Sequence, residues 1–134
     1  MIKDLGLEDS IKLFGKSTRV PEILKMSDGK ILPTSNTGRR EGFGAALVEA
    51  MAAGLPVIAT KSGGPEDIVQ NGQNGWLVEA DSVSELADAM SDFYLNRDKR
   101  IEFGKNAWKR AQEEYGTDLM IERYSGVYKS LFDR

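Results

Sequence analysis

Two glutamates, Glu41 and Glu49, stand eight positions apart on either side of a glycine-bearing turn. Carboxylates accept hydrogen bonds from vicinal hydroxyls, which makes a sugar the obvious partner for such a pair. Gly42 and Gly44 bracket Phe43 in this turn, so its backbone can take positive φ and approach a ligand closely. The spacing alone leaves a second interpretation open, in which both glutamates are ordinary acidic residues on and before a surface helix.

The turn leads into an Ala-rich segment, residues 45–53, which has no internal glycine or proline and predicts a helix. Gly54 is placed to end this helix in a left-handed conformation, and Pro56 follows soon after it. The start of such a helix presents free N–H groups and a positive dipole end to phosphate or sugar oxygens. At ~1.5 Å rise per residue, Glu49 lies roughly one or two turns along the helix from the turn that carries Glu41. The pair can therefore hold an extended ligand at two points.

Short apolar runs alternate with helical patterns along the chain, which indicates βαβ units and a parallel sheet. The predicted strands are residues 11–14, 30–33, 56–60 and 76–78, and the smaller predicted helices are residues 19–26 and 65–70. From residue 82 onward the pattern is helical, with Ser82 or Asp81 as a cap. Aromatic residues recur on one side of these helices, so Trp108 and Tyr124 are predicted to pack in the core.

Composition narrows the possible functions. A chain of 134 residues with a net charge of −3 predicts one globular domain and gives no electrostatic case for nucleic acid. The chain has no Cys and no His, which argues against disulfides, thiolate chemistry, a hydrolase triad and a zinc site. It has no long apolar run and no signal-peptide pattern, and we expect a cytoplasmic location.

Residues 41–60 resemble the signature of retaining glycosyltransferases of the GT-B architecture, which include sucrose-phosphate synthases and mannosyltransferases. That signature is Glu, seven residues, Glu, with a Gly-Phe-Gly-like turn and an Ala-Met-Ala-Ala-Gly-x-Pro-Val continuation. The similarity extends to residues 5–15, 63–66 and 74–78. It implies an α/β fold, namely a partial Rossmann-like domain with about four mainly parallel strands, flanking helices and a helical C-terminus.

The resemblance also implies roles for individual residues. Glu41 would be the catalytic residue that hydrogen-bonds the donor sugar, and Glu49 would grip the ribose hydroxyls. The remaining donor contacts would come mainly from the backbone. The backbone of Gly42, Phe43, Gly44 and Ala45 would contact the sugar and the phosphate, and that of Gly15, Lys16 and Ser17 would contact the base. The substrate would be a UDP-, GDP- or ADP-linked sugar.

Two arginines that precede Glu41 are candidates for contacts to phosphate. Arg39 and Arg40 could bind phosphate, since guanidinium forks match phosphate oxygens, although solvated loop charge is the simpler interpretation. The segment from Gly63 to Glu66 is interpreted as a turn and a helix start. No cofactor and no metal are expected, because the amide-rich helix start suits phosphate and no acidic cluster resembles a metal site. The absence of Gly-x-Gly-x-x-Gly after a first strand argues against a dinucleotide-binding oxidoreductase.

By this resemblance, residues 1–134 would form a single unit. That unit would correspond to the later part of the C-terminal donor-binding domain of the family. The first strands of that domain and the N-terminal acceptor domain would be missing. Because the missing strands would be central in a doubly wound sheet, we expect an exposed sheet edge and a separated first strand. A fragment, half of a split enzyme and a chain that pairs with a second copy all remain open.

Two further expectations follow from the resemblance. Gly29 and Lys30 replace the apolar residues usual in the family, so they should weaken the second strand and leave its first positions exposed. The chain alone is expected to be inactive in sugar transfer, and association with the inner membrane face would come from the absent domain. The alternative function is a non-catalytic or split-enzyme subunit that binds a partner chain through its sheet edge.

Overall fold

A parallel sheet of three strands forms the centre of the computed structural model, which describes residues 1–38 and 40–132. The strands are β1 (Lys30–Leu32), β2 (Val57–Lys61) and β3 (Gly75–Glu79), in the order β1-β2-β3. Ile58 is in register with a residue of each neighbouring strand, Ile31 on β1 and Trp76 on β3. The predicted α/β class with a parallel sheet is confirmed.

Six α-helices and one short 3-10 helix, Lys3–Leu5, accompany the sheet in the described residues. The α-helices are α1 (Val20–Lys25), α2 (Ala45–Ala52), α3 (Pro65–Ile68), α4 (Val83–Leu95), α5 (Arg97–Tyr115) and α6 (Thr117–Phe132). Local signals act as predicted at two helix ends. Gly54 follows α2 with φ 80°, and Ser82 caps α4 by accepting a hydrogen bond from the Glu85 N–H at 3.4 Å.

The core lies on both faces of β2. On one face, alternate residues of β2 pack against α2, α3 and the second half of α5, and this cluster includes Leu47, Met51, Val57, Ala59, Ile68, Ala107 and Ala111. On the other face, Ile58 packs with residues of β3, α4 and the first half of α5, namely Trp76, Val78, Ala89 and Phe103. Burial on both faces is typical of a parallel strand and explains its continuous apolar run.

Residues 11–14 do not form the predicted strand. They have no regular secondary structure, and Leu13 and Phe14 are 81% and 63% exposed. A strand is stabilised by hydrogen bonds to a neighbouring strand, and none of the three described strands lies beside this segment. The described sheet therefore has three strands where about four were expected.

The expectation that Gly29 and Lys30 are exposed is also wrong. Both are half-buried, and the Lys30 N–H donates to the Pro56 carbonyl at 3.1 Å, which joins it to the sheet. A Cβ on Gly29 would lie 2.5 Å from Cε2 of Phe93, which belongs to α4. Glycine at this position thus makes room for an aromatic ring from a later helix.

The outer face of the helical region is more apolar than predicted. Trp108 and Tyr124 are 52% and 63% exposed, so their assignment to the core is wrong. Helix α6 buries none of its residues, and its main contact with the other described elements is with α5. None of the described helices, α6 included, combines the length and the apolar character needed to cross a bilayer.

Candidate functional site

Glu41 lies at the edge of the sheet where the three parallel strands end. It forms an isolated parallel bridge with Gly63, just after β2. The Glu41 N–H donates to the Ser62 carbonyl, and the Gly64 N–H donates to the Glu41 carbonyl, both at 3.0 Å. The carboxyl edge is where open α/β sheets commonly bind ligands. The backbone of Glu41 is therefore fixed by hydrogen bonds. Its half-buried side chain lies at the edge where sheets of this kind bind ligands.

Two glycines, Gly63 and Gly64, pack directly against the turn that begins at Glu41. Gly63 has φ 113°, a region unfavourable for other residues, and a Cβ there would lie 2.6 Å from the Glu41 carbonyl oxygen. A Cβ on Gly64 would lie 2.3 Å from the carbonyl oxygen of Phe43. Residues 63–64 and residues 41–43 approach so closely that no side chain fits between their backbones. This contact agrees with the interpretation of residues 63–66 as a turn and helix start.

The turn ends at the start of α2. Gly44 is buried, has φ 94° and accepts the Leu47 N–H at 2.8 Å, so it directs the chain into the helix. Gly42 is exposed and does not have positive φ, so the expectation of a left-handed conformation holds for Gly44 alone. Phe43 is 50% exposed, and its ring meets Tyr115 edge-on at 6.0 Å between centroids. The free N–H groups at the start of α2, including that of Ala45, thus lie beside Glu41.

The orientation of Glu49 follows from the apolar face of α2. Leu47, Ala50 and Met51 are fully buried against the sheet and α5, which leaves Glu49 on the exposed side of the helix. There it lines a groove of about 670 Å³ between α2 and α1, together with Val20, Pro21, Leu24, Lys25, Ala52 and Ala53. Glu49 therefore faces an open groove one turn from the start of α2.

The loop of Gly15, Lys16 and Ser17 lies immediately before α1. Gly15 has φ 64°, Lys16 is exposed, and the Ser17 hydroxyl accepts the Arg19 N–H at 3.0 Å. Within residues 1–38 and 40–132, no hydrogen bond or ion pair joins this loop to residues 41–49. The structure brings the helix that follows the loop next to Glu49, and the contact of the loop with a base stays a prediction.

Arg40 lies at the same edge as Glu41 and has a carboxylate partner. Its Nη2 is 3.6 Å from Oε1 of Glu66, which also accepts the Gly63 N–H at 3.1 Å. The Arg40 side chain is 66% exposed, so this ion pair is a weak constraint. Arg39 lies outside the described residues. In the described part of the chain, no group of three or more His, Cys, Asp or Glu side chains is arranged to hold a metal ion.

Asp81 makes a contact near this edge that the sequence does not predict. The sequence predicts it only as a possible helix cap, but its carboxylate accepts hydrogen bonds from the Ser35 hydroxyl at 2.5 Å and the Asn36 N–H at 3.2 Å. Ser35 stands 46 positions earlier, so no local pattern links the two. The only signal was an aspartate in a loop, a residue type that tolerates the left-handed conformation. Residues 35 and 36, which follow β1, are thus held by a residue beyond the end of β3.

One known protein family matches most of this chain. The family profile described as "Glycosyl transferases group 1" matches residues 1–110. The N-acetyl-alpha-D-glucosaminyl L-malate synthase of Bacillus anthracis is 30% identical over 128 residues, which cover 96% of this chain and 32% of that protein.

Two solved protein structures share the fold of this chain. HepE of Anabaena, solved in complex with UDP-glucose, has a TM-score of 0.86 and 29% identity, over 96% of this chain and 35% of its own. Sucrose-phosphate synthase of Thermosynechococcus elongatus has a TM-score of 0.89 and 25% identity, over 98% of this chain and 33% of its own. The chain thus spans about a third of the length of these relatives. It belongs to the glycosyl transferases group 1 family.

Proposed function

We propose that this chain binds a nucleotide-diphosphate sugar and forms the donor-binding part of a retaining glycosyltransferase of the hexosyltransferase type. The observation that carries the proposal is the placement of Glu41 at the carboxyl edge of the sheet, directly before α2, with Glu49 on the same helix. A similar structure holds UDP-glucose, which supports a nucleotide sugar as the ligand class.

In this proposal the two carboxylates bind hydroxyls at opposite ends of the donor. Glu41 accepts hydrogen bonds from the sugar, and Glu49 accepts them from the ribose within the groove beside α1. Between them, backbone N–H groups of Gly42, Phe43, Gly44 and Ala45 face the sugar and the diphosphate. The α2 dipole adds a positive potential at the same point.

The chemistry assigned to this chain is stabilisation of the leaving group. When the bond between the sugar C1 and the phosphate oxygen breaks, the electron pair stays on the nucleoside diphosphate and the sugar becomes oxocarbenium-like. Fixed N–H groups at the start of α2 stabilise the developing negative charge without reorganising, and Arg40 supplies a cation at the same edge of the sheet. Positioning and electrostatics then supply the catalysis. The acceptor hydroxyl attacks C1 from the face that the diphosphate leaves, and its proton passes to the departing phosphate oxygen.

The chain alone is proposed to bind the donor without transferring it. It spans about a third of its relatives, and we assign the acceptor contacts to a further domain or a second chain. The residues proposed to bind the donor all lie within 15–49, and we expect this chain to bind the donor without that partner.

Titration of the purified chain with UDP, GDP, ADP and UDP-glucose, by calorimetry in the presence of EDTA, tests this proposal. Glu49→Ala should weaken nucleotide binding about 10- to 100-fold, since a hydrogen bond to a charged group contributes about 1.5–3 kcal/mol. Glu122→Ala, which removes an exposed glutamate from α6, is the matched control and should bind like the wild type. The same samples should release no sugar to an acceptor.

Two results would contradict the proposal. One is the absence of binding by the wild type to every nucleotide at millimolar concentration. The other is equal binding by the wild type and Glu49→Ala. Measurable transfer by the purified chain would leave donor binding intact but would refute its inactivity.

A second candidate function is a non-catalytic or split-enzyme subunit that binds a partner chain. The observation in its favour is that β1 pairs with β2 on one side only, so its other side is an open edge among the described strands. Failure to bind any nucleotide, in a chain that unfolds cooperatively, would favour this function over donor binding.

A further inference from the structure

Asp81 holds a backbone conformation that is costly for a residue with a Cβ. Its φ is 64°, and it is the only non-glycine residue with positive φ in the described chain. Glycine would take this conformation without strain, and aspartate tolerates it better than most residues. The contacts of the Asp81 side chain show what offsets the strain.

Both carboxylate oxygens of Asp81 bind the loop that follows β1. Oδ1 accepts the Ser35 hydroxyl at 2.5 Å, and Oδ2 accepts the Asn36 N–H at 3.2 Å. The Ser35 hydroxyl in turn accepts the Thr37 N–H at 3.0 Å and lies 2.6 Å from the Thr37 hydroxyl. Hydrogen bonds to an ionised group are stronger than neutral ones, and here they order three consecutive residues.

The path of this loop explains why the contact matters. The loop leaves β1 at Pro33, and the buried Thr60 hydroxyl of β2 donates to the Thr34 carbonyl at 2.6 Å. Residues 35 and 36 then reach Asp81 beyond the end of β3. The loop therefore crosses the carboxyl edge of all three strands, and Asp81 fixes its far point.

We propose that Asp81 is a positioning residue that clamps residues 35–37 across the sheet edge and thereby shapes the sugar end of the donor site. This inference rests on the proposed function for the identity of the ligand. Glu49 lies in the groove between α1 and α2, which does not include the clamped loop. Loss of the clamp should therefore weaken binding of the sugar and leave binding of the nucleotide unchanged.

The test compares the wild-type chain with Asp81→Gly, Ser35→Ala and the double variant. Asp81→Gly removes the clamp and also the backbone strain, so the melting temperature should not fall. Exchange of the Asn36 amide should accelerate about tenfold in Asp81→Gly, and exchange of the Thr37 amide about tenfold in Ser35→Ala, since each variant loses the acceptor of that N–H and exchange follows local opening. In the double variant the Asn36 amide should exchange as it does in Asp81→Gly, because Ser35→Ala does not remove the acceptor of that N–H.

Binding gives the second readout. The affinity for UDP should stay within about twofold. The ratio of the UDP-glucose affinity to the UDP affinity should fall about three- to tenfold, which corresponds to the loss of about one neutral hydrogen bond. Unchanged exchange at Asn36 and Thr37 would overturn the clamp. An unchanged ratio of the two affinities, or a wild-type ratio of one, would overturn the positioning role. Absence of UDP binding by the wild type would instead refute the proposed function, and the exchange data would still decide the clamp.

Discussion

At the scale of single residues, the site depends on positions that have no side chain. The turn from Glu41 to Phe43 lies against Gly63 and Gly64 so closely that a Cβ on Gly64 would be 2.3 Å from a backbone oxygen. Gly42, in the same turn, is different, since a Cβ there would meet nothing within 4 Å. Glycine is therefore required at position 64 on steric grounds, whereas position 42 has room for a larger residue.

Gly64→Ala should lower the free energy of unfolding by about 1–3 kcal/mol, because backbone atoms cannot move aside as a flexible side chain can. Gly64 has φ −47° and ψ −35°, where alanine is unstrained, so the loss would be steric. Urea denaturation followed by circular dichroism measures it. Gly42→Ala is the control and should change the unfolding free energy by less than about 0.5 kcal/mol. Equal effects of the two substitutions would contradict the close approach.

Residue roles were predictable where the signal is local. Glu41, Gly44 and Glu49 belong to one continuous segment, which forms the turn and the helix α2 that the sequence predicts, and their roles in donor binding stay predictions. Gly29 and Asp81 were not predictable, because their partners Phe93 and Ser35 stand far away in the sequence. Contacts of this kind are decided by the packing of elements, which a single sequence does not reveal.

At the scale of elements, α4 is joined to the sheet and to α5 through one carboxylate. Asp92 accepts the Trp76 indole N–H at 2.6 Å and the Asn96 side-chain amide at 2.6 Å, and it also forms an ion pair with Lys99. The Lys99 ammonium lies 5.4 Å from the Trp76 ring centroid. The hydrogen bond from Lys99, followed by that from Trp76, lowers the pKa of Asp92 below its usual value.

This arrangement predicts a pH-dependent stability. Because the folded-state pKa of Asp92 is lowered, its contribution is complete above the unfolded pKa, near ~4, and is lost as the pH falls through the folded pKa. Asp92→Asn should lower the unfolding free energy by about 0.5–1 kcal/mol at neutral pH, since the pair is partly exposed. That difference should shrink in urea titrations below pH ~4.

The control for this prediction is Asp88→Asn, which changes an exposed aspartate one turn earlier on α4. Its effect on unfolding should be small at neutral pH. A difference between wild type and Asp92→Asn that stays constant from pH 7 down to about 3 would contradict the assigned role of the carboxylate.

Elements were predicted well where capping and periodicity agree. Helices α2 and α4 lie close to the predicted positions, with Gly54 and Ser82 at their ends as expected. Residues 11–14 have the apolar pattern of a strand but do not form one, since a strand also needs a hydrogen-bonding neighbour. The pattern identifies a segment that suits a sheet, and pairing decides whether it joins one.

At the scale of the whole molecule, two surfaces look suited to a partner. One is the open side of β1, and the other is the exposed apolar face of α6, which includes Tyr124, Val127, Tyr128 and Leu131. Exposed strand edges and large apolar patches commonly mark sites of association. The chain also spans only about a third of its relatives.

We therefore expect the purified chain to associate through the β1 edge, with a sedimentation mass above the 14.8 kDa of a monomer. A variant carrying Tyr124→Lys and Tyr128→Lys disrupts the apolar face of α6 and leaves β1 unchanged. Association should persist in this variant if the strand edge is responsible. A monomer that is stable and unfolds cooperatively would contradict the expectation, and loss of association in the variant would assign it to α6.

The loop held by Asp81 has a consequence for protein engineering. Hydrogen bonds that span 45 and 46 positions hold residues 35 and 36 at the carboxyl edge of the sheet. A transplant of residues 41–60 into an unrelated scaffold would carry both glutamates and the helix that contains Glu49. It would leave behind β1, β3 and the contact made by Asp81, so this segment alone would not rebuild the sheet edge at which Glu41 lies.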